Sequence, residues 1–285
     1  MAAKRTLAID IGGSKFSIAS FDGERMERRE SRRTDAEGGR DWMLAQISAI
    51  ARAWQAEAPA NRCGIGFGGP VIFDEQRVAL STHVGGWRDF RLTDWVRELV
   101  GVPAIMDNDA NTGALGEARF GAGRGCDPLF YMTLSTGIGG GIFHDGRIWR
   151  GADSYGGEIG HLTIRPDGPD CLCGWRGCFE RMCSGLWLAR DYGQSAEVLM
   201  RDPAFVSRYV VDLALGLKAC IMLLNPARIV IGGGIAKAGA RLFDPLRAEL
   251  RRQITDWSGA RIDVVAAELG DDSVLWGALA LAEGM

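Results

Sequence analysis

Two hydrophobic rhythms alternate along the chain. Compact apolar runs near 5–11, 62–67, 103–106, 129–134 and 228–232 read as buried strands. Longer stretches over 38–57, 92–100, 109–120, 186–200, 204–224, 240–255 and 272–283 carry the spacing of helices. This alternation predicts an α/β fold without a low-complexity linker. One layout occurs twice. TLAIDIGGSKFSIASFDGER (6–25) and FYMTLSTGIGGGIFHDGRIW (130–149) each read as a strand, a glycine turn, a second strand and an Asp-Gly turn. The repeat argues for duplicated halves, with the change of domain near 107–110, so that 1–108 and 109–285 form two units. The last helix, opened by Asp272 as its N-cap, is expected to fold back onto the first half.

Each repeated hairpin places a polar residue, Asp10 or Thr136, where its first strand meets the glycines. Glycines there let backbone N–H groups approach an anion, as in phosphate-cradling nests, although each stretch also fits a plain hairpin. Neither is a Walker A loop, because the Lys-Ser/Thr ending is missing and a strand follows. The G-x-G-x-x-G at Gly64, Gly66 and Gly69 runs into Pro70 and a β-rich segment, so it lacks the helix of a dinucleotide site. The run ARIVIGGGIAKAG (227–239) is a buried strand feeding three glycines and a helix. It suits either a tight turn or close approach to a flat ligand such as adenine.

Composition narrows the class. A net charge of −3 over 285 residues offers no basic footprint for nucleic acid. The arginine-rich ERMERRESRR (24–33) is interleaved with glutamate and reads as a solvated strand or loop. No apolar run approaches the roughly 18 residues of a membrane span, and the N-terminus has no signal-peptide pattern, so a cytoplasmic protein is expected. Seven cysteines, an odd number, then argue against a disulfide framework.

The soft ligands concentrate in GHLTIRPDGPDCLCGWRGCFE (160–180). His161, Cys171, Cys173 and Cys178 make a Cys3His set, one of the standard donor sets of structural zinc, and Gly174 and Gly177 let the backbone curl around it. Four protein ligands leave no open position, so the metal is expected to hold a loop. Cys63, Cys126, Cys183 and Cys220 read as core residues. Acids gather around the same features. Asp107, Asn108 and Asp109 end a buried strand, where Asp109 fits either a helix N-cap or a carboxylate facing a cleft. Glu158 and Glu180 flank the cluster, as surface charges or as acceptors for a polyol.

These motifs, LAIDIGGSK, GIGFGGPV, NDAN, STGIGGG, GGEIGH, CLCGWRGCFE and IVIGGG in that order, resemble the ROK family (repressors, open reading frames, kinases) nearly end to end. The resemblance implies the actin/hexokinase-like architecture, with two ribonuclease-H-like α/β domains closing on ATP and a hexose, usually in a homodimer. It implies that Asp10, Gly12, Gly13, Ser14, Lys15, Thr136, Gly137, Gly139 and Gly140 surround the ATP phosphates with Mg²⁺ alongside, and that Gly232, Gly233 and Gly234 lie near adenosine. Gly69, His83, Asn108, Asp109, Glu158, His161 and Glu180 would hold the sugar, with Asp109 as the base. The implied reaction is phosphorylation of a hexose, glucose first among the candidates, at its 6-hydroxyl. The first hairpin begins by residue 7, which leaves no room ahead of it for the DNA-binding domain of the family's repressors and favours an enzyme over a sugar sensor. His83 stands where family sugar kinases often have a sugar-touching asparagine, which puts the identity of the sugar in question.

Overall fold

A computed structural model of the chain describes residues 5–35, 37–81 and 84–285. Asp22-Gly23 and Asp145-Gly146 close the two hairpins that the sequence repeats, and each hairpin opens a sheet of the same order. In the first sheet, β1 (Arg5–Ile11), β2 (Lys15–Asp22) and β3 (Arg25–Arg33) form an antiparallel meander. Helix α1 (Gly39–Glu57) crosses to β4 (Arg62–Phe67), which pairs parallel to β1. A small hairpin, β5 (Val71–Ile72) and β6 (Arg77–Val78), and helix α2 (Leu92–Val100) lead to β7 (Ala104–Asn108), parallel to β4. The order is β3-β2-β1-β4-β7.

Helix α3 (Asp109–Phe120) enters the second half, whose meander is β8 (Leu129–Leu134), β9 (Ile138–His144) and β10 (Arg147–Ile148). Helices α4 (Phe179–Cys183), α5 (Gly185–Tyr192), α6 (Ala196–Leu199) and α7 (Pro203–Leu224) precede β11 (Arg228–Gly232). Helix α8 (Ala240–Ile254) and β12 (Val264–Ala266) complete a sheet of order β10-β9-β8-β11-β12, and α9 (Ser273–Glu283) ends the chain. The two sheets therefore repeat one ribonuclease-H-like plan, three antiparallel strands followed by two parallel ones.

Glycine decides how the halves meet. Helix α9 lies directly on β4 because a Cβ at Gly64 would sit 1.8 Å from the carbonyl oxygen of Ala278. Of the glycines that imitate a dinucleotide fingerprint, Gly64 and Gly66 thus serve helix-on-sheet packing, while Gly69 faces the Leu80 carbonyl and the Phe67 ring. Helix α3 lies on β9 in the same manner, with the Gly141 position 2.3 Å from the Ala110 carbonyl. The two helices cross where Gly277 faces Thr112 and Gly116 faces Ser273. The buried Glu117 then staples α3 to the chain entering α9: its carboxylate accepts the backbone N–H of Ala122, Glu268 and Leu269 and the Ser273 hydroxyl.

Three expectations need correction. The helix expected over 186–200 breaks into α5 and α6, because Gly193 adopts a left-handed conformation (φ 66°) and Ser195 caps a fresh start by accepting the Val198 N–H. Asp272 occupies the N-cap position of α9 without capping it; its carboxylate bonds Arg29 of β3 at 2.6 Å instead. The glycines 232–234 open a single 3-10 turn, Ile235–Ala238, before α8 begins. The arginine-rich segment is edge strand β3, exposed and half-buried at alternate positions. Its Arg25, Arg28, Arg29 and Arg32 pair with Glu27, Glu57, Asp272 and Glu30. Charges of that kind keep an open sheet edge from recruiting another strand. No described helix is long and apolar enough to cross a membrane.

Candidate active site

The first wall of the cleft is built from strand ends. Asp10 is the penultimate residue of β1 and pairs with Ser17 and Gly66. The glycine turn beyond it is closed by the Gly12 N–H donating to the Lys15 carbonyl. Parallel strand β4 ends alongside, and Gly68 donates to the Ile11 carbonyl, so that its α-carbon faces both Gly12 and the Asp109 carboxylate. On the next parallel strand, β7, Asn108 performs the capping that the sequence also allowed for Asp109. Its Oδ1 accepts the N–H of Ala110 at 2.9 Å and of Asn111, while its Nδ2 donates to the Gly69 carbonyl at 3.0 Å. Asp109, the first residue of α3, is thereby relieved of capping, and its Oδ2 lies beside Gly68.

Electrostatics set these acids apart. Burial pushes the Asp109 carboxyl up to about 7; the Ala110 N–H and its own N–H oppose the shift, and the charge of Glu158 adds to it. Asp10 is likewise pushed up to about 7 by burial first and by Asp109 second, with Lys15 and Arg29 pulling the other way. Two neighbouring, poorly solvated carboxyls make a site that attracts positive charge, and a carboxyl near 7 has the affinity of a general base at neutral pH.

The second wall comes from the loop between β10 and α4. Glu158, part-buried, is pushed up by desolvation and by Glu180, while His161 acts in the opposite sense. Glu180, in the first turn of α4, accepts the Ile138 N–H at 2.9 Å through Oε2. That bond ties α4 to the start of β9. The ligand atoms of His161, Cys171, Cys173 and Cys178 lie within 4.8 Å of one another. Cys173 Sγ and Cys178 Sγ are 3.6 Å apart, close to the roughly 3.8 Å that two sulfurs span when each is about 2.3 Å from a tetrahedral zinc. The donor set and its spacing fit zinc. Backbone bonds shape the loop for it: Cys171 N–H to the Trp175 carbonyl, Gly177 N–H to Pro169, and Ile164 and Arg165 N–H to Gly177. Gly177 (φ 60°) has no room for a side chain, since a Cβ would lie 1.6 Å from the Arg165 carbonyl oxygen. Glu158 lies in this loop and Glu180 in the helical turn that follows Cys178, so a metal there would fix their direction.

A cavity of about 680 Å³ opens on the second half, lined in part by Ser135, Thr136, Leu186, Met200, Gly234 and Lys237. It is large enough for a nucleoside, and Asp10, Asp109 and Glu158 lie outside its lining. Of the glycines expected near a nucleotide, Gly234 lines this cavity. Gly232 packs on the Tyr131 ring and Gly233 on the Leu134 backbone, so their lack of a side chain serves packing. Gly139 and Gly140 are strand residues of β9 opposed to Thr133 and Met132, and Gly140 also faces Gly157 and Phe130. Thr136 and Gly137 form the turn, with Ser135 N–H donating to the Gly137 carbonyl. Lys237, absent from the sequence-based reading, reaches Asp271 at 2.8 Å; Lys15 approaches the same carboxylate at 3.7 Å from the first half. A lone lysine in a helical turn has no pattern by which a sequence could reveal that meeting. His83 lies outside the described residues.

The family model described as ROK family matches residues 6–285. The glucokinase of Thermotoga maritima is 31% identical over an alignment that covers 99% of this chain and 98% of that protein. Among solved structures, a ROK hexokinase from Thermus thermophilus superposes with a TM-score of 0.83 at 32% identity, covering 98% of each chain. A ROK family glucokinase from Streptomyces griseus, in complex with glucose and AMPPNP, superposes with a TM-score of 0.84 at 29% identity, covering 99% of this chain and 100% of that one. With its paired sheets of the actin-like ATPase fold and its match along nearly the whole length, the chain belongs to the ROK family.

Proposed function

We propose that the protein transfers the γ-phosphate of ATP to a hexose, with glucose as the favoured substrate and the 6-hydroxyl as the acceptor. The observation that carries this reading is Asp109: a carboxylate at the first turn of α3, relieved of capping by Asn108, lying beside Gly68 just past the end of β4 and pushed up to about 7 by burial. The likeness to the Thermotoga maritima glucokinase and to the glucose-bound Streptomyces griseus structure supports the choice of substrate.

Phosphoryl transfer depends chiefly on alignment and charge neutralisation. Glu158, Glu180 and His161 hold the sugar hydroxyls on the side of the cysteine loop, and the remaining N–H of Asn108 donates from the opposite side. Asp109 orients the acceptor hydroxyl and takes its proton as the new P–O bond forms. This role is worth about 10²–10⁴-fold in rate. The turns at Gly12–Lys15 and Thr136–Gly137 receive the phosphates, and the 680 Å³ cavity receives the nucleoside. Asp10, pushed up by burial and by Asp109 and pulled down by Lys15 and Arg29, fits a carboxylate that would take magnesium; the ion would neutralise phosphate charge. His161, Cys171, Cys173 and Cys178 would hold zinc, which would supply rigidity and no open coordination site. Closure of the two halves excludes water that would otherwise hydrolyse ATP.

A panel of glucose, mannose, fructose, allose, N-acetylmannosamine and N-acetylglucosamine, each assayed with ATP for ADP release, tests the proposal. Glucose is expected to give the highest kcat/KM. Binding of sugars without turnover of any would overturn it in favour of a sensor.

A further inference from the structure

Asp107 is a buried carboxylate one position from Asn108 and two from Asp109, and the mechanism above makes no use of it. Its Oδ1 accepts the Asn108 N–H at 2.8 Å and the Asn111 Nδ2 at 3.0 Å. Its Oδ2 receives Arg150 from the other half of the molecule, with Nε at 2.8 Å and the second guanidinium nitrogen at 2.7 Å. Arg150 follows β10 and is itself locked. Its guanidinium carbon stacks 3.5 Å from the centre of the Phe73 ring, and its carbonyl accepts the Gly156 N–H at 2.8 Å. The Phe73 N–H in turn donates to the Ser154 hydroxyl at 3.1 Å, which binds the β5–β6 turn to the loop that runs into Glu158. Gln76, in that turn, bonds both the N–H and the carbonyl of Met106, the residue before Asp107. Three stretches of chain from both walls of the cleft therefore converge on one ion pair.

We propose that Asp107 and Arg150 are a positioning pair that sets the Asn108–Asp109 turn at a fixed distance and angle from Glu158. The inference rests on Asp109 as the base and Glu158 as a sugar ligand. Neither member of the pair touches the reacting atoms. Asp107 holds the first turn of α3 through Asn108 and Asn111, while Arg150 holds the start of the Glu158 loop. A planar guanidinium suits the task, because its fork fixes direction as well as distance and its face can stack on Phe73. Misplacement by a fraction of an ångström at a reacting centre is enough to slow group transfer, whereas nucleotide contacts on the far side of the cleft are left intact.

The test uses the full-length protein in the glucose–ATP assay, with glucose affinity measured separately by calorimetry. Arg150→Met and Asp107→Asn are each expected to lower kcat at least tenfold and to weaken glucose binding severalfold, with the KM for ATP changed less than twofold. Arg150→Lys keeps the charge and loses the fork, and is expected to fold and to fall between the parent and Arg150→Met. The deciding variant is Asp107→Asn/Arg150→Met. Removing both charges relieves the unpaired buried ion, so thermal stability should return toward the parent while kcat and glucose affinity stay low. Recovery of kcat together with stability would show a mere charge match and overturn the proposal, as would full kcat in Arg150→Met. Asp109→Asn run alongside separates the two readings. If it keeps its kcat, Asp109 is not the base, and weakened glucose binding in the pair variants still supports positioning. If it loses kcat while the pair variants keep theirs, only the positioning pair falls.

Discussion

Asp109 carries its charge at a cost, and both of its expected behaviours follow from that. The folded protein favours the protonated carboxyl, because burial lifts Asp109 from 3.8 to about 7. Its share of stability is therefore fully present below about pH 4, where the unfolded chain is protonated too, and is lost as pH rises through 7. Asp109→Asn should accordingly make the ligand-free protein more stable than the parent at pH 8, by about 1–3 kcal/mol, and no different near pH 4. Urea titrations at the two pH values would register this, and equal stability at pH 8 would count against a buried, reluctant acid. The same variant should lose two or more powers of ten in kcat while retaining glucose and ATP binding, since an amide keeps the shape and cannot accept the proton. In the parent, kcat/KM should rise from pH 6 to pH 8 with an apparent midpoint near 7. The adjacent residue shows how far a sequence goes at this scale. Strand followed by Asp-Asn-Asp was legible, but which residue caps α3 depended on the direction of Asn108, whose Nδ2 finds the Gly69 carbonyl 39 positions away.

At the scale of elements the cysteine loop is the most demanding piece. Its backbone bonds and its three thiols can be satisfied together only where the chain turns at Gly177, whose φ of 60° and contact with the Arg165 carbonyl both exclude a side chain. Gly177→Ala should therefore release zinc and weaken glucose binding together, because Glu180 follows three residues later. Elemental analysis of protein purified without added metal should find one zinc per chain in the parent and substoichiometric zinc in Gly177→Ala and Cys173→Ser. A metal-free parent with full activity would refute the zinc reading. That His161, Cys171, Cys173 and Cys178 come together was readable from residue types and spacing. The break between α5 and α6 was not, since a helical apolar rhythm runs through Gly193 and only its left-handed conformation stops the helix.

Across the whole molecule, the halves are joined at α3 and α9, and Glu117 holds that joint. Four donors converge on its buried carboxylate, from Ala122 just past the end of α3, from 268–269 and from Ser273. Glu117→Gln replaces one acceptor oxygen with a donor facing N–H groups. It should cost about 2–4 kcal/mol, more than the usual single substitution. Equilibrium unfolding would measure the loss; a change under about 0.5 kcal/mol would mean that the staple is dispensable. On the proposed closure of the halves, the crossing of α3 and α9 would take up the movement, so kcat in this variant should fall more than the affinity for either substrate alone.

The repeated hairpins, the alternation of strands and helices, the Cys3His set and the acid at the end of β7 were all determined by the sequence itself. Each is a local matter of periodicity, residue chemistry or short spacing. Tertiary structure alone decided the rest. Gly64 makes room for the backbone of α9 and Gly66 for the Val274 side chain, both more than 200 residues away, and Gly139 and Gly141 serve α3. Asp107 meets Arg150 across 43 positions, and Lys15 approaches Asp271 from the other end of the chain. A residue pattern records which side chains want burial, charge or a turn. It does not record which distant backbone will lie against them, because that is settled only when two sheets and the helices between them close around one cleft.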